Sequence, residues 1–219
     1  MLVTDLFFDF DGVLLDSVNF HAEAFNNAFS NFNIPLGEFQ YVSGRSSESL
    51  VRDYLNQLYI FDEQKIRSII EEKQKIVRNE IEINLPIFPN EIQVLIKLSN
   101  RYKLSIVSSS TYHLIGKFLE KYNLENAFTN VISFEMTRQS KPSPEPYLLA
   151  LKKNNVNREQ VLVIEDSISG VESAVRAGLK YITFSPSGEL LNKNDSVEVK
   201  CCKSYDQIYE HVTREMPNL

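Results

Sequence analysis

Short apolar runs rich in β-branched and aromatic residues recur along the chain at residues 3–8, 104–107, 130–134, 161–164, 181–184 and 197–201. Runs of this length that do not alternate with polar residues suit strands buried on both faces. Between most of them the apolar positions change to a three-to-four-residue period, over residues 91–99, 112–122, 146–154, 169–177 and 204–211. That period predicts helices. In the fourth, Val171, Ala174 and Val175 are assigned to one face and Gly178 is the expected C-terminal cap. Strand alternating with helix predicts an α/β fold whose parallel strands are joined by right-handed crossovers.

Residues 18–84 break the alternation. Phe25, Ala28, Phe29 and Phe32 repeat at helical spacing, followed by Leu50, Tyr54, Leu55 and Leu58, then Ile66, Ile69, Ile70 and Val77. The pattern predicts an all-helical domain at 18–84, inserted into an α/β core made of residues 1–17 and 85–219. An insert leaving after the first strand belongs above the carboxyl ends of the strands, where open α/β sheets bind ligands. It reads as a lid hinged near residues 16–18 and 85–89. A helical domain packed elsewhere has the same pattern.

The chain has 219 residues and is 43% hydrophobic, enough for a sizeable core. Its net charge is −6 with no basic run, which argues against nucleic acid and against an anionic membrane as partner. The apolar stretches fall short of the roughly 20 residues of a membrane span, and the N-terminus has no basic segment and cleavage site, so a cytoplasmic location is expected. Cys201 and Cys202 are adjacent, a poor arrangement for a mutual disulfide or a zinc site, and are expected to be reduced thiols on a late strand.

Candidate chemistry begins at the end of the first apolar run, in Phe-Phe-Asp-Phe-Asp-Gly-Val-Leu-Leu-Asp-Ser from Phe7 to Ser17. Asp9 and Asp11 stand two apart, and on an extended strand that spacing sends both side chains to one side. Such a pair repels itself unless a cation sits in it, which points to a divalent metal with oxygen ligands. Gly12 then allows an unusual backbone angle or a close approach to the main chain. An Asp-Gly turn between two strands is the plainer alternative, against which stand Val13, Leu14, Leu15 and the further acid Asp16.

Other polar residues gather at the ends of later runs. Ser108, Ser109, Ser110 and Thr111 precede a predicted helix, where they would bind an anion or cap the helix. Lys141 lies in Ser-Lys-Pro-Ser-Pro, a fixed positive charge on a stiffened loop unless it is solvated. Glu165, Asp166 and Ser167 end the run at 161–164, with Gly170 beyond; an acid pair there is costly unless paired or metal-bound.

These four elements, in this order, resemble the four motifs of the haloacid dehalogenase superfamily, over nearly the whole chain. Glu165-Asp166-Ser167 is similar to the β-phosphoglucomutase-like and sugar-phosphate phosphatase branch. The resemblance implies a Rossmann-like parallel sheet core with a helical cap. It implies a Mg²⁺-dependent phosphoric monoester hydrolase acting on a small phosphorylated metabolite, a sugar phosphate above all, as a monomer or homodimer. Asp9 would be the nucleophile that forms an aspartyl-phosphate and Asp11 the general acid and base. Ser108, Ser109 and Lys141 would hold the phosphoryl oxygens. Asp9, Asp11 through its main-chain carbonyl, and Asp166 would ligate Mg²⁺, with Glu165 a further ligand or an outer acceptor.

In the cap, the resemblance implies substrate contacts from His21, Arg45 and Lys73, each of which has a structural or solvated alternative. Asn90 replaces a glycine and Glu145 an aspartate of the family pattern, both outside the catalytic set. A hexose-phosphate mutase shares the first half-reaction and is the alternative function. A non-catalytic protein that binds phosphorylated ligands is the second.

Overall fold

The computed structural model describes residues 3–37, 39–41, 47–188 and 200–215. The elements run β1 (Asp5–Phe8), α1 (Val18–Asn31), α2 (Ser47–Gln57), α3 (Glu63–Asn84), α4 (Glu91–Ser99), β2 (Lys103–Val107), α5 (Tyr112–Tyr122), β3 (Phe128–Ile132), α6 (Glu145–Asn154), β4 (Val161–Glu165), α7 (Ile168–Arg176), β5 (Lys180–Phe184), β6 (Cys201–Cys202) and α8 (Tyr205–Glu215). They fall into two compact units, Ser17–Pro86 and the remainder, Met1–Asp16 with Ile87–Leu219. Among the described residues, no helix is long and apolar enough to cross a membrane.

The second of these is the α/β unit, built on a parallel sheet of order β3-β2-β1-β4-β5-β6. All four residues of β1 are buried, which is why its sequence is apolar without alternation. Phe7 faces a cluster with Val107, Val163, Tyr147, Ala150 and Ala174. Phe8 turns the other way, its ring edge-on to Phe128. Register then decides what meets at the carboxyl edge. Phe8 is level with Ile106 of β2 and Ile164 of β4, so the residues that follow, Asp9, Val107-Ser108 and Glu165, emerge side by side.

Three expectations need correction. The third strand begins at Phe128 rather than residue 130 and is over by Ile132, with Phe134–Met136 forming a 3-10 turn. Thr129 and Asn130 interrupt the apolar pattern there because both bond the Asn154 side chain, at 3.3 and 3.0 Å. Val175 is 55% exposed, whereas Val171 and Ala174 are buried. The buried face of α7 centres on Gly170, Ala174 and Ala177, and at 100° per residue Val175 lies about 130° from that centre. The last strand is Cys201–Cys202, both thiols free, and residues 197–199 of the predicted run lie outside the described residues.

The helical unit contains α1, α2 and α3. Its core combines an aromatic group, Phe25, Phe29 and Tyr54 beside Phe39, with the aliphatic Leu50, Leu55, Ile66 and Ile69. These are the residues whose helical spacing marks the segment in the sequence. The turn between α2 and α3 holds Tyr59 in a left-handed conformation, φ 58°, and Asp62 accepts from the Lys65 amide to start α3.

Candidate active site

β1 ends at Phe8, and the chain then tightens rather than extending. The amides of Leu14 and Leu15 both donate to the Phe10 carbonyl, and that of Gly12 to Leu15, which puts Gly12 at φ 81°. Asp9 therefore closes the strand, its amide still bonded to β4, while Asp11 lies within the turn, and the hairpin alternative fails because the turn leads towards α1. Asp9 is fixed by its amide, which donates to Ile164 at 3.0 Å, and by its carboxylate, which accepts from Lys141. Asp11 accepts from the Ser110 hydroxyl.

Lys141 is the hub of the site. Its side chain is only 5% exposed. Nζ donates to Asp9 Oδ1 at 2.5 Å, Glu165 Oε1 at 2.6 Å and the Val107 carbonyl at 2.7 Å, so all three ammonium donors are used. Burial alone would favour the neutral amine, but the carboxylates of Asp9 and Glu165 outweigh it and hold the pKa above the ordinary lysine value. The solvated-lysine alternative is excluded.

Glu165 is fully buried, and both its oxygens are engaged. Oε1 accepts from Lys141 and from the Tyr147 hydroxyl at 2.7 Å; Oε2 accepts from the Ser167 hydroxyl and the Asp166 amide, each at 3.2 Å. Burial, with Glu165 next to it, pushes the Tyr147 phenol far up, so it is a donor. A Cβ on Gly170 would fall 2.0 Å from the Glu165 carboxyl, so only glycine leaves room for that side chain. The same holds opposite: a Cβ on Gly12 would lie 1.9 Å from Asp166 Oδ2.

Asp9, Glu165 and Asp166 each offer a carboxylate oxygen, all within 4.8 Å of one another. Burial, which outweighs the opposing pull of Lys141 and is helped by the charges of Glu165 and Asp11, pushes Asp9 up to about 7. Burial and the charges of Asp9, Glu165 and Asp11 push Asp166 well up. One ammonium does not balance this many acids. An all-oxygen donor set with excess negative charge fits a hard divalent cation such as Mg²⁺, whose charge would return the acids to their ionised forms.

Ser108 is buried, and its hydroxyl accepts from the Ser110 amide at 2.9 Å. The helix cap is Thr111, which accepts from the Leu114 amide, so the cluster divides its work between a turn at Ser108 and a cap at Thr111. Ser109 is exposed directly after Ser108. In the helical unit, Lys73 Nζ lies 2.7 Å from His21 Nδ1, 3.4 Å from Ser47 Oγ and 4.9 Å from the Phe25 ring centre. Burial and then Lys73 lower His21 to about 4, so the imidazole is neutral and accepts through Nδ1. Arg45 lies outside the described residues.

Sequence reasoning missed Tyr147 and Ser110. Tyr147 looks like one more apolar residue of a helix face, and its only signal is a hydroxyl in the first turn after the lysine loop. Ser110 is hidden in a run of hydroxyl residues that are indistinguishable by type.

A family model described as haloacid dehalogenase-like hydrolase matches residues 6–184. The chain is 31% identical to a phosphorylated carbohydrates phosphatase of Thermotoga maritima over 80% of this chain and 82% of that protein. It is 26% identical to a phosphoglycolate phosphatase of Aliivibrio fischeri, covering 78% and 79%. A crystal structure of a haloacid dehalogenase-like protein from Agrobacterium tumefaciens superposes with a TM-score of 0.80 at 20% identity, over 97% of this chain and 99% of that one.

Proposed function

The chain belongs to the haloacid dehalogenase-like hydrolases, and from that premise we propose that it is a Mg²⁺-dependent phosphatase of a small phosphorylated metabolite, a sugar phosphate, working through an aspartyl-phosphate. The observation that carries this is the lysine hub: Lys141 pins the Asp9 carboxylate against Glu165, and Asp166 is packed on Gly12 beside them.

Asp9 attacks phosphorus in line with the leaving oxygen, forming the aspartyl ester and releasing the alcohol. Asp11, hydrogen-bonded to Ser110, gives a proton to the departing alkoxide and later takes one from the water that hydrolyses the ester. Ser108 and Ser109 hold the phosphoryl oxygens, and the positive charge of Lys141 beside Asp9 stabilises the charge they gain in the transition state. Asp9, the Asp11 carbonyl and Asp166 would hold Mg²⁺, which neutralises nucleophile and phosphoryl group so that two anions can meet. Glu165, with both oxygens already accepting, orients Lys141. His21 and Lys73 take part in choosing the substrate.

Phosphate release from a panel of phosphorylated sugars, small acids and nucleotides, with Mg²⁺ and with Asp9→Asn as blank, tests this. Release confined to sugar phosphates and abolished in the blank and by chelator is expected. Chelator-resistant release, or release equal in the blank, overturns it. A second reading, transfer of the phosphoryl group to a sugar hydroxyl in place of water, shares the first half-reaction. A mutase is distinguished by activation with a sugar bisphosphate and no net phosphate release.

A further inference from the structure

We propose that Tyr147 is a positioning residue: acting through Glu165, it aims Lys141 at Asp9. The consequence for catalysis rests on the phosphatase reading above; the placement itself does not. Tyr147 is fully buried in the first turn of α6, six residues beyond Lys141, and contributes both a hydroxyl and a ring. The hydroxyl shares Glu165 Oε1 with the ammonium, 2.7 Å from the phenol and 2.6 Å from Nζ. The ring lies with its centre 5.0 Å from the same Nζ.

The shared oxygen balances two pulls on Lys141. Nζ is held between Asp9 and Glu165, and its position depends on how strongly each anion attracts it. A phenol hydrogen bond disperses part of the charge on Oε1 and weakens that oxygen as an acceptor for Lys141. Without it, Glu165 draws the ammonium towards itself and away from Asp9, the group that meets phosphorus. Glu165 cannot follow instead, because Gly170 lies against its carboxyl and Ser167 and the Asp166 amide hold its other oxygen. The loop carrying Lys141 is also tied down, since Ser173 Oγ donates to the Ser143 carbonyl at 2.5 Å and Arg176 to the Pro142 carbonyl at 3.0 Å. With backbone and carboxylate both fixed, a missing hydroxyl is taken up by the lysine head group.

The variant Tyr147→Phe keeps the ring and removes only the hydroxyl. With p-nitrophenyl phosphate and saturating Mg²⁺, kcat is expected to fall by about ten- to thirtyfold, as for a misplaced group in a preorganised site, with KM changed by less than about twofold. In a Lys141→Ala background, where there is no ammonium to aim, the same substitution should cost nothing further. An equal loss in both backgrounds means Tyr147 acts independently of Lys141 and overturns the proposal. A second measurement does not need turnover. In protein carrying ¹⁵N-labelled lysine, the ammonium signal absent from Lys141→Ala should be shifted or broadened in Tyr147→Phe. An unmoved signal overturns the proposal whether or not the protein is active. A wild-type protein that releases no phosphate, with the signal moved as expected, defeats the phosphatase reading and leaves the placement standing.

Discussion

Among the described residues, Lys141 and Lys73 carry side chains sunk into the protein, one in each unit, and they are satisfied in different ways. Lys141 of the α/β unit spends its donors on two carboxylates and a carbonyl, and its charge is reinforced by them. Lys73 of the helical unit meets a neutral imidazole, a serine hydroxyl and an aromatic ring. An ammonium between anions is a fixed charge whose removal strands its partners. The imidazole and the ring that face Lys73 are uncharged, so its removal strands no ion in either of them. The first arrangement suits a group that works on every turnover, the second a group that adjusts to a substrate.

Replacing the two lysines tests that difference most severely. Lys141→Ala leaves Asp9 and Glu165 buried without their cation, and should destabilise the protein by about 3–5 kcal/mol while reducing kcat at least about a thousandfold. Lys73→Met should cost about 1–2 kcal/mol, the range of a lost hydrogen bond, and leave kcat on p-nitrophenyl phosphate within about tenfold. Urea unfolding and steady-state rates on both variants check this. Equal losses would mean the two lysines are doing the same kind of work.

The glycines sharpen the same contrast within the α/β unit. Gly12→Ala adds a methyl where Asp166 Oδ2 already lies and does so at φ 81°, while Gly170→Ala drives into Glu165 without a backbone penalty. Gly12→Ala should therefore be the more damaging, at about 2–4 kcal/mol, because strain and overlap add. Both should weaken Mg²⁺-dependent activity. Gly116→Ala, on α5 with open space around its Cβ, is the control and should stabilise by up to about 1 kcal/mol through helix propensity. Thermal midpoints of the three rank them.

The parts of the fold legible in the sequence are those set by burial on both faces or by one dominant period. β1, β4 and the apolar stripes of α1 to α3 belong to this class, because each is apolar for a single reason. The start of β3 is hidden because Thr129 and Asn130 serve a side-chain network rather than a face, and the exposure of Val175 is hidden because a one-turn repeat does not give the centre of a helix face. In the site, the acids and Lys141 stand out because charged residues at strand ends are expensive without partners. The register that makes Asp9, Ser108 and Glu165 neighbours follows from strand order, which no local pattern encodes. Tyr147 was illegible for a related reason: its chemistry lies in which oxygen its hydroxyl meets, across eighteen residues of chain.

A last contrast separates the units by pH. Asp9 has a folded pKa of about 7 against 3.8 for an ordinary aspartate, so without metal its contribution to stability is complete below pH 4 and is lost as pH rises towards 7. His21 has a folded pKa of about 4 against 6.5, so the protein loses stability as pH falls from 6.5 towards 4, when the unfolded chain takes up a proton that the buried imidazole refuses. The two contributions run in opposite directions over one interval and partly cancel in the wild type. They separate in variants followed in chelator by urea unfolding between pH 4 and 7. Relative to wild type, Asp9→Asn should gain stability progressively as pH rises, and His21→Gln should gain it as pH falls. Addition of Mg²⁺ should abolish the first trend, because bound metal keeps Asp9 ionised in the folded state. An Asp9→Asn trend that survives Mg²⁺ would mean that the metal does not reach Asp9, and the reading of Asp9, Glu165 and Asp166 as its site would fail with it.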